Sequence, residues 1–231
     1  ADTVAQARAQ YTAWQRRPEV LGRHPPELDL WQLMQQLRAA LPNDAIICNG
    51  AGNFSIWLHR FFAYRTPGTQ LAPTSGCMGY GVPAAIAAKL SAPEKIVICV
   101  TGDGDFLMTA QEMATACQYH AAVLFLVFNN AMYGTVRLHQ EQRFPGRVVG
   151  TSLTNPDFAQ LARAYGASGL RVNHTEEFGP ALTEALSSMR NRRLPALIEL
   201  TCDPNLLSPS SHLDELRAQA APDPRKDDPT G

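Results

Sequence analysis

A chain of 231 residues with 45% hydrophobic content suits one large globular domain with extensions, and excludes a mostly disordered or collagen-like polymer. Twenty basic against 21 acidic residues leave a formal charge of −1, which argues against nucleic acid or an anionic membrane as partner. The longest apolar run, residues 121–128, is far shorter than the roughly 20 residues a membrane-spanning helix needs. The N-terminal residues show no basic-then-apolar leader pattern, and the start without Met is expected of a fragment or a processed product. Five cysteines with no CxxC spacing fit no closed disulfide framework, so a reducing, cytoplasmic setting is the plain expectation. Cys48 and Cys99 sit in apolar strand-like runs and read as buried small hydrophobes; Cys77, in a glycine-rich loop, reads as structural or as a reactive thiol.

In chain order, residues 1–28 form a polar Arg- and Gln-rich helix and a connector bearing Pro18, Pro25 and Pro26, expected to be a linker from an upstream domain. Short apolar runs then alternate with helical patterns. Strands are expected at 45–49, 70–74, 96–101, 123–129, 169–172 and 196–201, with helices around 55–64, 80–90, 108–119, 156–165 and 176–190. A long loop is expected from 130 to about 154. Asn155-Pro156 supplies a cap and a first-turn proline for the helix that follows. Strands that are apolar throughout and separated by helices imply a mostly parallel, doubly wound α/β sheet of about six strands covered on both faces. The domain is expected to span 29–206, with 207–231, rich in Pro, Asp, Lys and Ser, as a flexible tail.

In such sheets ligands bind beyond the carboxyl ends of the strands. Unusual residues follow strands three times, as Gly50-Ala51-Gly52-Asn53, Gly102-Asp103-Gly104-Asp105 and Asn129-Asn130-Ala131-Met132-Tyr133-Gly134, and a fourth glycine cluster runs from Ser75 to Gly81. Glycines flanking Asp103 let backbone amides approach an anion. A carboxylate among such amides makes most sense with a hard cation bridging it to phosphate oxygens, and Asn130 offers an amide oxygen as second ligand. Alone, GDG reads more simply as a turn and NN as a strand terminator. Together they carry more, because the 24 residues between Gly104 and Asn129 hold one helix and one strand, so both emerge at the same sheet edge.

The stretch GDGDFLMTAQEMATACQYHAAVLFLVFNNAMYGTVR resembles the diphosphate-binding domain of the thiamine-diphosphate enzymes of the acetolactate synthase, pyruvate oxidase and benzoylformate decarboxylase superfamily, over roughly residues 30–204. The resemblance implies thiamine diphosphate and Mg²⁺ as cofactors, with Asp103, Asn130 and the carbonyl of Met132 on the metal. It implies diphosphate contacts from backbone or side-chain groups of Gly104 and Asp105, from Asn53 and from the amide of Phe54, with Gly102, Tyr133 and Gly134 also among the cofactor-binding residues. Gly76 and Met78 are implied for the pyrimidine, Met78 as the bulky residue on which the cofactor folds. The implied activity is decarboxylation of a 2-oxo acid, with or without carboligation. The catalytic glutamate would come from a pyrimidine-binding domain of the same longer chain or of a partner subunit, so this chain is expected to be silent alone and to form a homodimer or larger.

Acetolactate-forming relatives typically carry Met and then Trp in the helix after the NN motif, where this chain has Thr135 and His139. His139 reads as a substrate or proton contact or as a solvent-facing residue. Arg137 and Arg143 read as attracting an anionic substrate or as surface residues, and His120 as a loop residue. Two alternatives stand beside this reading. Gly50-Ala51-Gly52 after a strand suggests a nicotinamide dehydrogenase, although position 55 is Ser and no acidic residue ends a strand about 20 residues on. A non-catalytic interaction module on the same sheet is the other.

Overall fold

The apolar runs become one sheet because each is buried on both sides, leaving the backbone no partner but a neighbouring strand. A computed structural model describes residues 2–219. The elements are α1 (Asp2–Trp14), α2 (Val20–Arg23), α3 (Leu30–Ala40), β1 (Ile46–Asn49), α4 (Phe54–Phe61), β2 (Gln70–Leu71), α5 (Gly81–Ser91), β3 (Val97–Gly102), α6 (Asp103–Leu107) and α7 (Glu112–Gln118). They continue with β4 (Val123–Asn129), α8 (Gly134–Arg143), α9 (Phe158–Ala164), β5 (Ser168–Val172), α10 (Thr175–Arg192), β6 (Ala196–Thr201), β7 (Leu206–Ser208), β8 (Ser211–His212) and α11 (Leu213–Gln219). No helix among the described residues is long and apolar enough to cross a membrane.

Six strands pair in parallel in the order β2-β1-β3-β4-β6-β5. The central strands β3 and β4 are buried along nearly their whole length, while the edge strand β2 is exposed. One face is covered by α3, α4 and α10, whose Leu33, Leu37, Trp57, Phe178 and Leu182 pack on Ile98, Leu124 and Ile198. The other is covered by α5, α7 and α9 over Cys99, Phe125 and Val127. There Phe106 meets Phe125 and Phe158 edge-on, with ring centroids 6.3 and 5.7 Å apart. This is the doubly wound α/β arrangement the sequence implies. From β1 the chain passes to β2 on one side and returns to β3 on the other, so β1 and β3 flank a switch point, where open α/β sheets bind ligands.

Four expectations are corrected. The residues between 130 and 154 are not all loop: α8 forms, fastened by the Arg137–Glu141 pair one turn apart and by Gln140 bonding Val149 both ways. The helix expected at 108–119 is two short helices, because α6 starts directly at the end of β3 and the turn after it lets Thr109 Oγ1 bond the Gly79 carbonyl. The expected linker ends in ordered structure: Val20, Leu21 and Leu28 join the core, and Asp29 caps an α3 to which no element is assigned above. Residues 207–219 are likewise not a tail; they form the β7–β8 hairpin and α11, anchored by buried Leu206, Leu207 and Leu213 and by Arg217 on Glu141. Residues 220–231 of the expected tail lie outside the described residues.

Candidate functional site

Beyond the carboxyl ends of β1, β3 and β4 lies a cleft of about 650 Å³, partly open to solvent. Its wall is built from Ala51–Phe54 after β1, Gly102–Asp105 after β3, Asn130 and Met132–Val136 after β4, and Cys202, Asp203 and Leu206 after β6. Leu30, Trp57, Met78 and Phe128 complete it. Every residue assigned to the cofactor in the sequence lines this cleft except Gly76, which sits in the exposed turn before Met78 with φ +67°. His139 points to the exposed side of α8 and does not reach the cleft; Thr135 and Val136, in the first turn of the same helix, do. Arg137 is committed to Glu141, and His120 sits in a tight turn with φ +52°.

Asp103 is 2% exposed. Its carboxylate accepts from the Gly104 amide at 2.9 Å and from Asn155 Nδ2 at 2.7 Å. Burial pushes its pKa up from the ordinary carboxylate value, opposed by those bonds and by the amides of Ala131 and Met132. Asn130 lies across the loop, its Oδ1 3.3 Å from the Met132 amide. Ala131 between them holds φ +55°, a left-handed conformation that a non-glycine residue adopts at some cost. The turn is pinned from outside by a short ladder in which Tyr133 N–H donates to Thr151 O and Leu153 N–H to Ala131 O.

Of the two groups by which Asp105 is expected to contact a diphosphate, the side chain is committed elsewhere, which leaves its backbone. Its carboxylate is consumed inside the protein, accepting from Thr101 Oγ1 at 2.5 Å, the Gly79 amide at 2.7 Å and the Ala51 amide at 3.4 Å. It ties the loops after β1 and before α5 to β3 rather than facing a ligand with free lone pairs. Gly50 makes room for it, since a Cβ there would lie 1.9 Å from Asp105 Oδ2.

Three helices start at this cleft, α4 at Phe54, α6 at Asp103 and α8 at Gly134, none capped by its N-cap side chain. Such ends present unbonded amides and the positive end of the helix dipole. Asn53 sits between two of them: its Oδ1 accepts from Thr135 Oγ1 at 2.8 Å while its buried Nδ2 has no partner. Gly134 leaves a cradle there, a Cβ at that position falling 3.1 Å from Asn130 Nδ2 and 3.4 Å from Asn53 Nδ2. Among the described residues the cleft is lined by Asp103, Asp105 and Asp203 and by no Lys, Arg or His side chain.

Asn155 is the residue the sequence reading missed; it is noted above only as a helix cap. The cap is in fact Asp157, whose side chain accepts from Gln160 N. Asn155 Nδ2 bonds both Asp103 and Asn129 Oδ1, at 2.7 and 2.8 Å, and its Oδ1 is buried without a partner. Asn129 continues inward to Glu199 at 2.8 Å, which accepts twice from Arg171, itself paired with Asp157 at 3.0 Å. The one signal for Asn155 in the sequence is an amide side chain directly before a proline at the mouth of a post-strand loop.

Residues 50–200 match the family described as thiamine pyrophosphate enzyme, C-terminal TPP binding domain. The chain belongs to that family. It is 35% identical over 176 residues to the acetolactate synthase isozyme 3 large subunit of Escherichia coli K12, covering 75% of this chain and 29% of that protein. It is 31% identical over 179 residues to the sulfoacetaldehyde acetyltransferase of Castellaniella defragrans, covering 77% and 30%. Among solved structures, a thiamine diphosphate-dependent 4-hydroxybenzoylformate decarboxylase of Rhodococcus jostii RHA1 matches with a TM-score of 0.70 and 32% identity, covering 77% of this chain and 33% of that one. The chain thus spans about a third of the length of these relatives. The match runs from the loop after β1 into β6, the segment that builds most of the cleft.

Proposed function

We propose that this chain is the Mg²⁺–diphosphate-binding half of a TPP-dependent enzyme that acts on a 2-oxo acid by decarboxylation, with or without carboligation. The observation that carries the reading is the charge pattern of the cleft. Three helix starts and an orphaned Asn53 amide invite an anion, yet the lining side chains are acidic or neutral. A diphosphate fits such a wall only with a divalent cation between it and Asp103, and the available donors are hard oxygens of the kind Mg²⁺ prefers. Asp103 and Asn130 would hold the ion through side-chain oxygens and Met132 through its carbonyl. The amides opening α4 and α8, with Asn53 Nδ2, would bind diphosphate oxygens. Met78, adaptable and apolar, would support the cofactor's bend.

When bound, TPP supplies an electron sink for decarboxylating 2-oxo acids. This chain's own residues would position it and exclude water through Phe54, Trp57 and Phe128, and the described residues supply no titratable side chain at the cleft other than aspartates and Tyr133 and Cys202. The proton-moving glutamate belongs to a pyrimidine-binding domain elsewhere in a longer chain or in a partner, and exposed Leu71, Tyr80, Leu107 and Met108 around the loops before α5 and after α6 suit a covering surface of that kind. Thermal melts test the cofactor half. TPP with Mg²⁺ at about 100 times Kd stabilises a specific binder by about 2.7 kcal/mol. Stabilisation by Mg²⁺–TPP that vanishes with EDTA is expected; no stabilisation, or stabilisation by NAD alone, overturns the reading.

A further inference from the structure

His24, at the end of the N-terminal connector, and His212 and Asp214, in the C-terminal hairpin and α11, meet behind the cleft wall formed by Asp203. The two imidazoles stack face to face, centroids 3.7 Å apart and planes 5° from parallel. His212 is only 4% exposed and lies between carboxylates, its Nε2 3.8 Å from Asp203 Oδ2 and its Nδ1 3.7 Å from Asp214 Oδ2. Its nearest hydrogen-bond partner is the Asp214 amide at 3.4 Å. The two carboxylate spacings are too wide for hydrogen bonds, and the 3.7 Å between His212 Nδ1 and Asp214 Oδ2 is near the roughly 3.4 Å edge of a tetrahedral shell whose ligands sit about 2.0–2.2 Å from a zinc-class ion. One donor atom each from His24, His212 and Asp214 all lie within 4.8 Å of one another. His24 Nε2 meets Glu215 Oε1 at 3.1 Å, and Glu215 is fixed by Arg23 at 2.6 Å.

We propose that His24, His212 and Asp214 form a binding site for a divalent transition metal of the zinc class, independent of the TPP reading. The stacked rings carry parallel lone pairs, so binding turns the half-exposed His24 ring about its Cβ–Cγ bond, releasing Glu215, until both imidazoles converge on the ion with Asp214; water takes the fourth place, because Asp203 faces the opposite nitrogen of His212. Two imidazoles select such metals over Mg²⁺, whereas the cleft offers oxygens alone. The ion would clamp the connector to the hairpin, and so fix Asp203 and Leu206, which line the cleft.

The test titrates the metal-stripped chain with Co²⁺ and Zn²⁺. Expected are visible d–d absorption of tetrahedral intensity with no thiolate charge-transfer band, displacement by Zn²⁺, and a raised melting temperature with Zn²⁺. His24→Ala and His212→Ala should each weaken Zn²⁺ binding by about tenfold or more; His24→Ala removes a half-exposed ring and keeps the test valid if His212→Ala fails to fold. Asp103→Asn should leave Zn²⁺ binding intact, so a failure of Mg²⁺–TPP binding does not touch this result. Equal Zn²⁺ affinity in the wild type and His24→Ala, no binding at all, or a Co²⁺ spectrum dominated by thiolate overturns the proposal.

Discussion

Asp103 and Asn155 lie 52 residues apart and share a 2.7 Å hydrogen bond at the floor of the cleft. The same Asn155 nitrogen holds Asn129, so one amide couples the loop after β3 to the end of β4. Asn155→Ala should unfold at lower denaturant, by about 1–3 kcal/mol, because it strips a bond from the buried Asp103 carboxylate and leaves Asn129 Oδ1 with the Ala131 amide as its one remaining donor. It should also weaken Mg²⁺ binding by roughly 10–100-fold, the usual cost of losing a partner that orients a metal ligand. Calorimetric titration of Mg²⁺ in the presence of TPP reads the second effect. A variant that lost stability but bound Mg²⁺ like the wild type would reduce Asn155 to a structural strut.

Asp103→Asn should separate function from stability in the opposite direction. Burial raises the pKa of Asp103, so holding its charge costs the metal-free fold energy, and a neutral isostere removes that cost. The variant should melt close to the wild type without metal, the relieved charge offsetting the loss of one of the two bonds that Asp103 accepts, yet lose Mg²⁺-dependent TPP binding more severely than Asn155→Ala does. Melting curves with and without Mg²⁺–TPP measure both; a marked drop in metal-free stability would show that the carboxylate is needed by the fold itself.

Two glycine substitutions distinguish the clamp beneath the cleft from ordinary close packing. At Gly50 a Cβ would collide with Asp105 Oδ2 at 1.9 Å; at Gly169 it would collide with the Ala159 carbonyl at 2.0 Å, away from the cleft. Each alanine should destabilise by about 1–3 kcal/mol, the range for overpacking. Only Gly50→Ala should also weaken TPP binding, since it displaces the carboxylate that ties Gly79, Ala51 and Thr101 together. Denaturant midpoints and TPP affinities compared at temperatures where both variants stay folded decide this.

The sheet was legible because β3, β4 and β6 are continuous apolar runs, a pattern set by burial on both faces and independent of distant residues. The loops after β1, β3 and β4 were legible for a related reason: glycine and amide residues directly after such runs can only sit at the carboxyl edge. What escaped depends on tertiary pairing. Residues 150–155 look like plain loop until the ladder to Ala131 and Tyr133 draws Asn155 under Asp103. Asp105 sits in the motif beside Asp103, but only the packing against Gly50 and Gly79 reveals that its oxygens are spent internally. Helix α8 is too polar to signal itself, and residues 207–219 too short in apolar runs; each is stabilised by the other.

That mutual support rests on Glu141, and it makes the C-terminal arm acid-sensitive. The carboxyl is 1% exposed and bonded by Arg217, by Arg137 and by the Gly146 amide. Arg217's hydrogen bond first, then the Gly146 amide and the charges of both arginines, hold its pKa down to about 2 from an ordinary 4.5, against the opposing effect of burial. A carboxyl depressed in the folded state stabilises fully above its unfolded pKa and ceases to do so as pH falls through the folded one. Glu141 should therefore contribute at pH 6 and above, and its contribution should fade between about pH 4.5 and pH 2. Because Arg217 is half-exposed, the contribution is set at roughly 1–2 kcal/mol rather than the full 1.36 kcal/mol per pKa unit. Melting temperatures of the wild type and Glu141→Gln should differ at pH 7 and converge toward pH 2–3, with Arg217→Ala showing the same convergence. Proteolysis of the 206–219 segment should become faster in both variants at neutral pH. A constant gap between wild type and Glu141→Gln across that range would mean that the carboxylate's charge is not what holds α11 against α8.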